Sequence, residues 1–132
     1  MAHRSDRAVG DDFLPAERQL LELLCSGPAA TSERARAHLA SAAWGGYAFD
    51  DCQCFLIRAD IDGDAPLIRH GGGPLAEADV EDESGSVGML ELWVVDGLLH
   101  SVDFIPWGDD HAELPDPERH RITLLDSPAQ NG

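Results

Sequence analysis

Asp96-Gly97 stands between two apolar runs, Val87 to Val95 and Leu98 to Ile105, and nothing else in the chain restricts its fold as tightly. A type I′ turn needs positive φ at both central residues, which Asp and Gly tolerate, and its twist matches that of the strands it joins. The dipeptide therefore predicts an antiparallel hairpin, and with it a register. Val95 pairs with Leu98, Trp93 with His100, Glu91 with Val102 and Met89 with Phe104 on one face. The other face carries Leu90, Leu92, Val94 and Leu99 together with Ser101 and Asp103. Both faces are substantially apolar, so helices are expected on one, and loops, the tail or another molecule on the other.

The remaining segments are read around that hairpin. In FLPAERQLLELLCSG, Pro15 suits the first helical position, and Leu20, Leu21 and Leu24 recur at helical spacing before Gly27-Pro28 ends the run. TSERARAHLASAAW predicts a second helix, capped by Thr31 or Ser32 and ended by Gly45-Gly46, with Ala35, Leu39 and Ala42 or Ala43 on its narrow apolar face. CQCFLIRA, from Cys52, predicts a strand, with Leu67 to Arg69 as its hairpin partner across DIDGDAP. GGGPLAEADVEDESGS reads as a long acidic connection, and Ile122 to Leu125 as a short edge strand. The expected architecture is α+β: two N-terminal helices packed on a roughly four-stranded antiparallel sheet. A chain of 132 residues holds one core. The expected limits are a flexible leader at 1–12, a single domain at 13–126 and a flexible tail at 127–132.

Composition narrows the partners. Against 9 Lys+Arg, all arginine, stand 25 Asp+Glu, for a formal net charge of -16. A phosphate backbone or an anionic lipid surface repels such a chain, so neither nucleic acid nor membrane is an expected partner. An acidic surface of this kind suits a basic partner protein, whose approach it steers. The N-terminal stretch lacks the apolar segment of a signal peptide, and three cysteines make no disulfide framework, so the expected location is cytoplasmic.

Few residues combine into chemistry. Asp60, Asp62 and Asp64 alternate as in the first half of a calcium loop, but Ala65 and Gly71 occupy the positions that need Gly and Glu. Cys52 and Cys54 share a strand face, and with Cys25, His38 and His70 they lack the paired spacing of a zinc site, so no metal or other cofactor is expected. Glu91 and His100 become diagonal neighbours in the hairpin register. That leaves two readings open, an acid–base pair of a small hydrolytic or metal-binding domain and a structural hydrogen-bond pair. Trp107-Gly108-Asp109-Asp110-His111 follows a strand directly, which makes Trp107, Asp109 and Asp110 candidate binding residues.

The order of these parts resembles that of a group of small actinobacterial α+β proteins of uncharacterised function. The shared outline is the leucine-rich helix Leu20 to Leu24, a second helix, Cys52-Gln53-Cys54, the strand pair around Asp96-Gly97, and Leu114-Pro115. More loosely, the chain is similar to the immunity proteins of bacterial toxin systems, which are small, acidic, cytoplasmic α+β domains. The first resemblance implies fold only. The second implies a protein-binding domain that neutralises a basic toxin. Separately, the second apolar sheet face leaves a monomer or a homodimer through that face as the expected state.

Overall fold

The computed structural model describes residues 8–47, 54–59, 67–69, 73–107 and 114–125. Helix α1 (Pro15–Leu24) starts at proline, whose fixed φ suits N1, and the Glu17 carboxylate accepts the Leu14 N–H at 2.8 Å. Leu20, Leu21 and Leu24 bury one face of α1. At its end the Arg36 guanidinium, on α2 (Ala30–Leu39), donates to the carbonyls of Cys25 at 2.6 Å and Gly27 at 2.9 Å. A cation therefore satisfies carbonyls that the end of α1 leaves open, and it joins the two helices.

Six strands follow: β1 (Ala42–Tyr47), β2 (Phe55–Ala59), β3 (Ala76–Asp82), β4 (Gly85–Val95), β5 (Leu98–Pro106) and β6 (Arg121–Leu125). They form one antiparallel sheet in the order β1-β2-β5-β4-β3-β6, with α1 against β3 and β4 and α2 against β5 and β1. The helix-facing side carries Phe55, Ile57, Ala78, Val80, Leu90, Leu92, Leu99 and Val102, all buried with the α1 leucines and Phe13. Full burial of each leucine contributes about 1.5–3 kcal/mol. The Phe13 ring tilts onto Phe55 at 5.9 Å, with the Arg18 guanidinium 5.4 Å from its centroid.

The α+β class, the two helices and the edge strand at Ile122 to Leu125 agree with the sequence, but among the described residues the sheet has six strands rather than about four. The second helix stops at Leu39, and its N-cap is Ala29 rather than Thr31 or Ser32. Ala42, Ala43 and Trp44, expected at its end, pair with Ala59, Arg58 and Ile57 in β1, where tertiary pairing overrides the helix preference of alanine. β2 takes β1 and β5 as neighbours, not Leu67 to Arg69. That segment lies outside the sheet, with Ile68 buried and its N–H bonded to the Gly97 carbonyl at 2.9 Å. The supposed acidic connection contains β3, whose alanines and valine point to the core and whose acids point away. Residues ahead of Phe13 are tied to the sheet as far back as Gly10: Gly10 N–H bonds Trp44 O and Trp44 N–H bonds Asp11 O. DIDGDAP, Cys52 and the segment Gly108 to His111 lie outside the described residues.

Candidate functional site

The β4–β5 turn has φ of 55° at Asp96 and 82° at Gly97, as a type I′ turn requires, and Val95 pairs with Leu98 and Val94 with Leu99. Beyond those pairs the expected register fails. A bulge between Trp93 and Val94 inserts an extra residue in β5, so Trp93 faces Ser101, Leu92 faces Val102, Glu91 faces Asp103 and Leu90 faces Phe104. Without it, Ser101 and Asp103 would point into the core and Val102 and Phe104 away from it. One inserted residue reverses every side chain that follows, and burial of Val102 and Phe104 favours the bulged ladder.

The bulge thereby builds a row on the face turned away from α1 and α2, which among the described residues carries no helix. Leu125, Glu77, Glu91 and Asp103 stand directly opposite one another across β6, β3, β4 and β5, so three carboxylates occupy consecutive strands with no cation between them. Like charges placed this way repel by a few tenths to about 1 kcal/mol per pair. Burial pushes the Glu91 carboxyl above its ordinary pKa; the Trp93 hydrogen bond opposes that rise, and the charges of Glu77 and Asp103 add to it. Asp103 is likewise raised by burial and held back by His100.

Two tryptophans frame the row. The Trp93 indole N–H donates to Glu91 Oε1 at 3.1 Å. The Trp107 indole N–H donates to Ser86 Oγ at 2.8 Å, and the Ser86 hydroxyl donates to Asp79 Oδ1 at 2.6 Å. Each ring is thus tethered through its N–H to an acid of this face, directly or through one serine. Trp107 is 56% exposed. Its backbone N–H bonds Val87 O, so the two indoles are separated by the stretch of β4 from Val87 to Trp93, a rise of roughly 20 Å at strand geometry. Met89 and Ile105 pair between them, and Ile105 and Leu125 are exposed.

Of the residues singled out from sequence, Glu91 and Trp107 both belong to this face. His100 is exposed, bonds the Ser101 hydroxyl through Nδ1 at 3.1 Å, and exerts its charge on Asp103, so the expected diagonal pairing of Glu91 with His100 loses the register it rested on. Asp109 and Asp110 lie outside the described residues. Glu77 and Asp79 are hidden in sequence by the acidic composition of their segment, although AEADVE alternates strictly. Asp103 falls on the other face in the unbulged register, because a hairpin dipeptide carries no signal for the bulge that leaves His100 unpaired in the ladder.

Cys25 and Cys54 take structural places. Cys25 is fully buried and its thiol is pushed up to about 12 by burial, against the nearby Arg36 charge, which removes it as a nucleophile at neutral pH. Cys54 is buried, and its sulfur accepts the Phe104 N–H at 3.3 Å. Among the described residues no group of three His, Cys, Asp or Glu is placed to hold a metal ion. A hollow lined by Asp82, Glu83, Ser84, Arg119 and His120 opens at the β3–β4 turn. There the Ser84 N–H and hydroxyl bond Asp82 Oδ1 and lower the Asp82 pKa. No helix of the described residues is long and apolar enough to cross a membrane. No family model, no curated protein and no solved structure matches the chain.

Proposed function

We propose that this chain is a non-enzymatic binding domain whose helix-free sheet face receives a basic partner protein. The observation that carries the reading is the cross-strand row of Glu77, Glu91 and Asp103. A row of like charges opposes folding in the isolated chain, and a cationic surface laid over it removes that repulsion. Trp93 and Trp107 add what charge alone lacks: large, amphipathic rings whose orientation is already set, the residue type that dominates binding energy at interfaces. The ring faces also suit arginine or lysine side chains. In its most specific form the reading is an immunity protein that occludes a basic toxin, which agrees with the net charge of -16. The alternative, a hydrolytic or metal-binding domain using Glu91 and His100, lacks a supporting contact, because Glu91 faces two acids and an indole.

The test compares three baits in lysate of the native host: the wild type, a face variant (Glu77→Gln, Glu91→Gln, Asp103→Asn) and a control with the same charge removed elsewhere (Glu22→Gln, Glu33→Gln, Glu118→Gln). The wild type and the control should retain the same basic protein at low salt. About 0.5 M salt should release it, since the Debye length then falls to roughly 4 Å. The face variant should retain little. Equal loss in both variants, or retention by neither wild type nor control, contradicts the reading.

A further inference from the structure

The two edges of the sheet are unlike. At β1 the free edge is occupied: Gly10 and Asp11 take both main-chain groups of Trp44, and the strand is bulged between Trp44 and Tyr47. Such devices keep an edge from recruiting another strand. At the opposite end β6 pairs with β3 through all five of its residues without a bulge, and among the described residues no strand lies beyond it. Arg121-Ile122-Thr123-Leu124-Leu125 contains no proline, no lysine and no acid. Arg121, Thr123 and Leu125 lie on the open face opposite Glu81, Asp79 and Glu77, while Ile122 and Leu124 pack toward the core.

That five-residue pattern is complementary to its own reverse. An antiparallel copy in full overlap has one register, centred on Thr123. It sets Thr123 beside Thr123, Ile122 beside Leu124 on the core side, and Arg121 beside Leu125 on the open face. Threonine pairs and apolar pairs are favourable cross-strand neighbours, and no like charges meet. The register also brings each Arg121 next to Leu125, hence to the end of the acid row that continues through Glu77 and Glu91. A strand from a basic protein would instead set further cations against Arg121. We propose that two copies of this chain associate through the free edge of β6, antiparallel about a twofold axis at Thr123, joining their sheets into one. This contact lies at the β6 edge of the acidic face, away from Glu91 and Asp103, and does not depend on the partner proposed for that face.

Sedimentation equilibrium of the full chain tests the proposal, with two variants at a side chain that points to solvent. Wild-type protein should approach the mass of two chains by about 100 µM. Thr123→Lys places two ammonium groups opposite each other in the dimer but faces Asp79 in the single chain. It should weaken association about tenfold or more while leaving the thermal midpoint undiminished at low concentration, where the wild type is monomeric too. Thr123→Cys, in a Cys52→Ser background, should form a covalent dimer with oxidised glutathione, because paired antiparallel residues have Cα atoms about 4.5–5.5 Å apart, within disulfide reach. Monomer throughout, a dimer indifferent to Thr123→Lys, or no cross-link from Thr123→Cys would overturn it.

Discussion

Burial disfavours the charged form of the Glu91 carboxyl, and the flanking carboxylates of Glu77 and Asp103 add to that effect. A carboxyl whose folded pKa is raised favours the fold most below the unfolded carboxylate range, and that contribution is lost as pH rises through the folded value. Glu91→Gln keeps an oxygen for the Trp93 N–H and removes the charge. It should therefore stabilise the protein at pH 7 by roughly 0.5 kcal/mol, the lower part of the range for such pairs because the group is partly solvated. At pH 3.5 the gain should vanish. Urea denaturation at the two pH values measures both, and an equal gain at each would remove electrostatics as the cause. Arg36 is the opposite case, a charge with well-defined work at the end of α1. Arg36→Ala leaves the Cys25 and Gly27 carbonyls without their donor and should cost about 1.5–3 kcal/mol in the same assay.

At the scale of elements, the β4–β5 hairpin tolerates single substitutions poorly at its two close approaches, Gly97 in the turn and Gly88 at the far end. Gly97 has φ of 82°, and a Cβ there would lie 2.8 Å from Leu67 Cβ. Gly97→Ala should cost about 1–2 kcal/mol, read as a lowered urea midpoint with an unchanged slope. Gly88→Ala should do more harm, because its Cβ would fall 2.6 Å from the Ile105 carbonyl oxygen and 2.6 Å from the Phe104 ring, at a point where β4 and β5 are packed backbone to side chain. Elements with strong local signals were legible: the leucine spacing and Pro15 of α1, the Asp-Gly turn, and the apolar stretch of β6. β1 was not, because alanine and glycine carry no strand preference and only the neighbouring β2 makes AAWGGY a strand. β3 was legible in its alternation, but its core side is alanine, alanine and valine, and its acids outweigh them in any reading by composition. The acidic face was therefore half visible. Glu91 and Trp107 stood out in sequence, while Glu77 and Asp103 needed a strand assignment and a bulge that only packing decides.

For the whole molecule, the helices and the sheet divide the charge. The core side of the sheet is neutral, and the open side holds Glu77, Asp79, Glu91 and Asp103 beside two tethered indoles. With a net charge of -16, self-repulsion opposes the compact state, so the thermal midpoint should rise as salt is raised from about 20 mM to 0.5 M. A midpoint that falls over that range would show that attractive ion pairs outweigh the repulsion. The most direct test of the central claim, that the row and its tryptophans form a site for cationic protein surfaces, is tryptophan fluorescence during titration with a short oligo-arginine peptide. Trp44 is buried at 3% exposure, so a change reports mainly on Trp93 and Trp107. Wild type and the Glu22, Glu33, Glu118 control should bind alike, and the Glu77, Glu91, Asp103 face variant should bind about tenfold more weakly or less, as loss of close charge pairs requires. Equal weakening in both triple variants would contradict the account, because binding would then follow net charge and not the face.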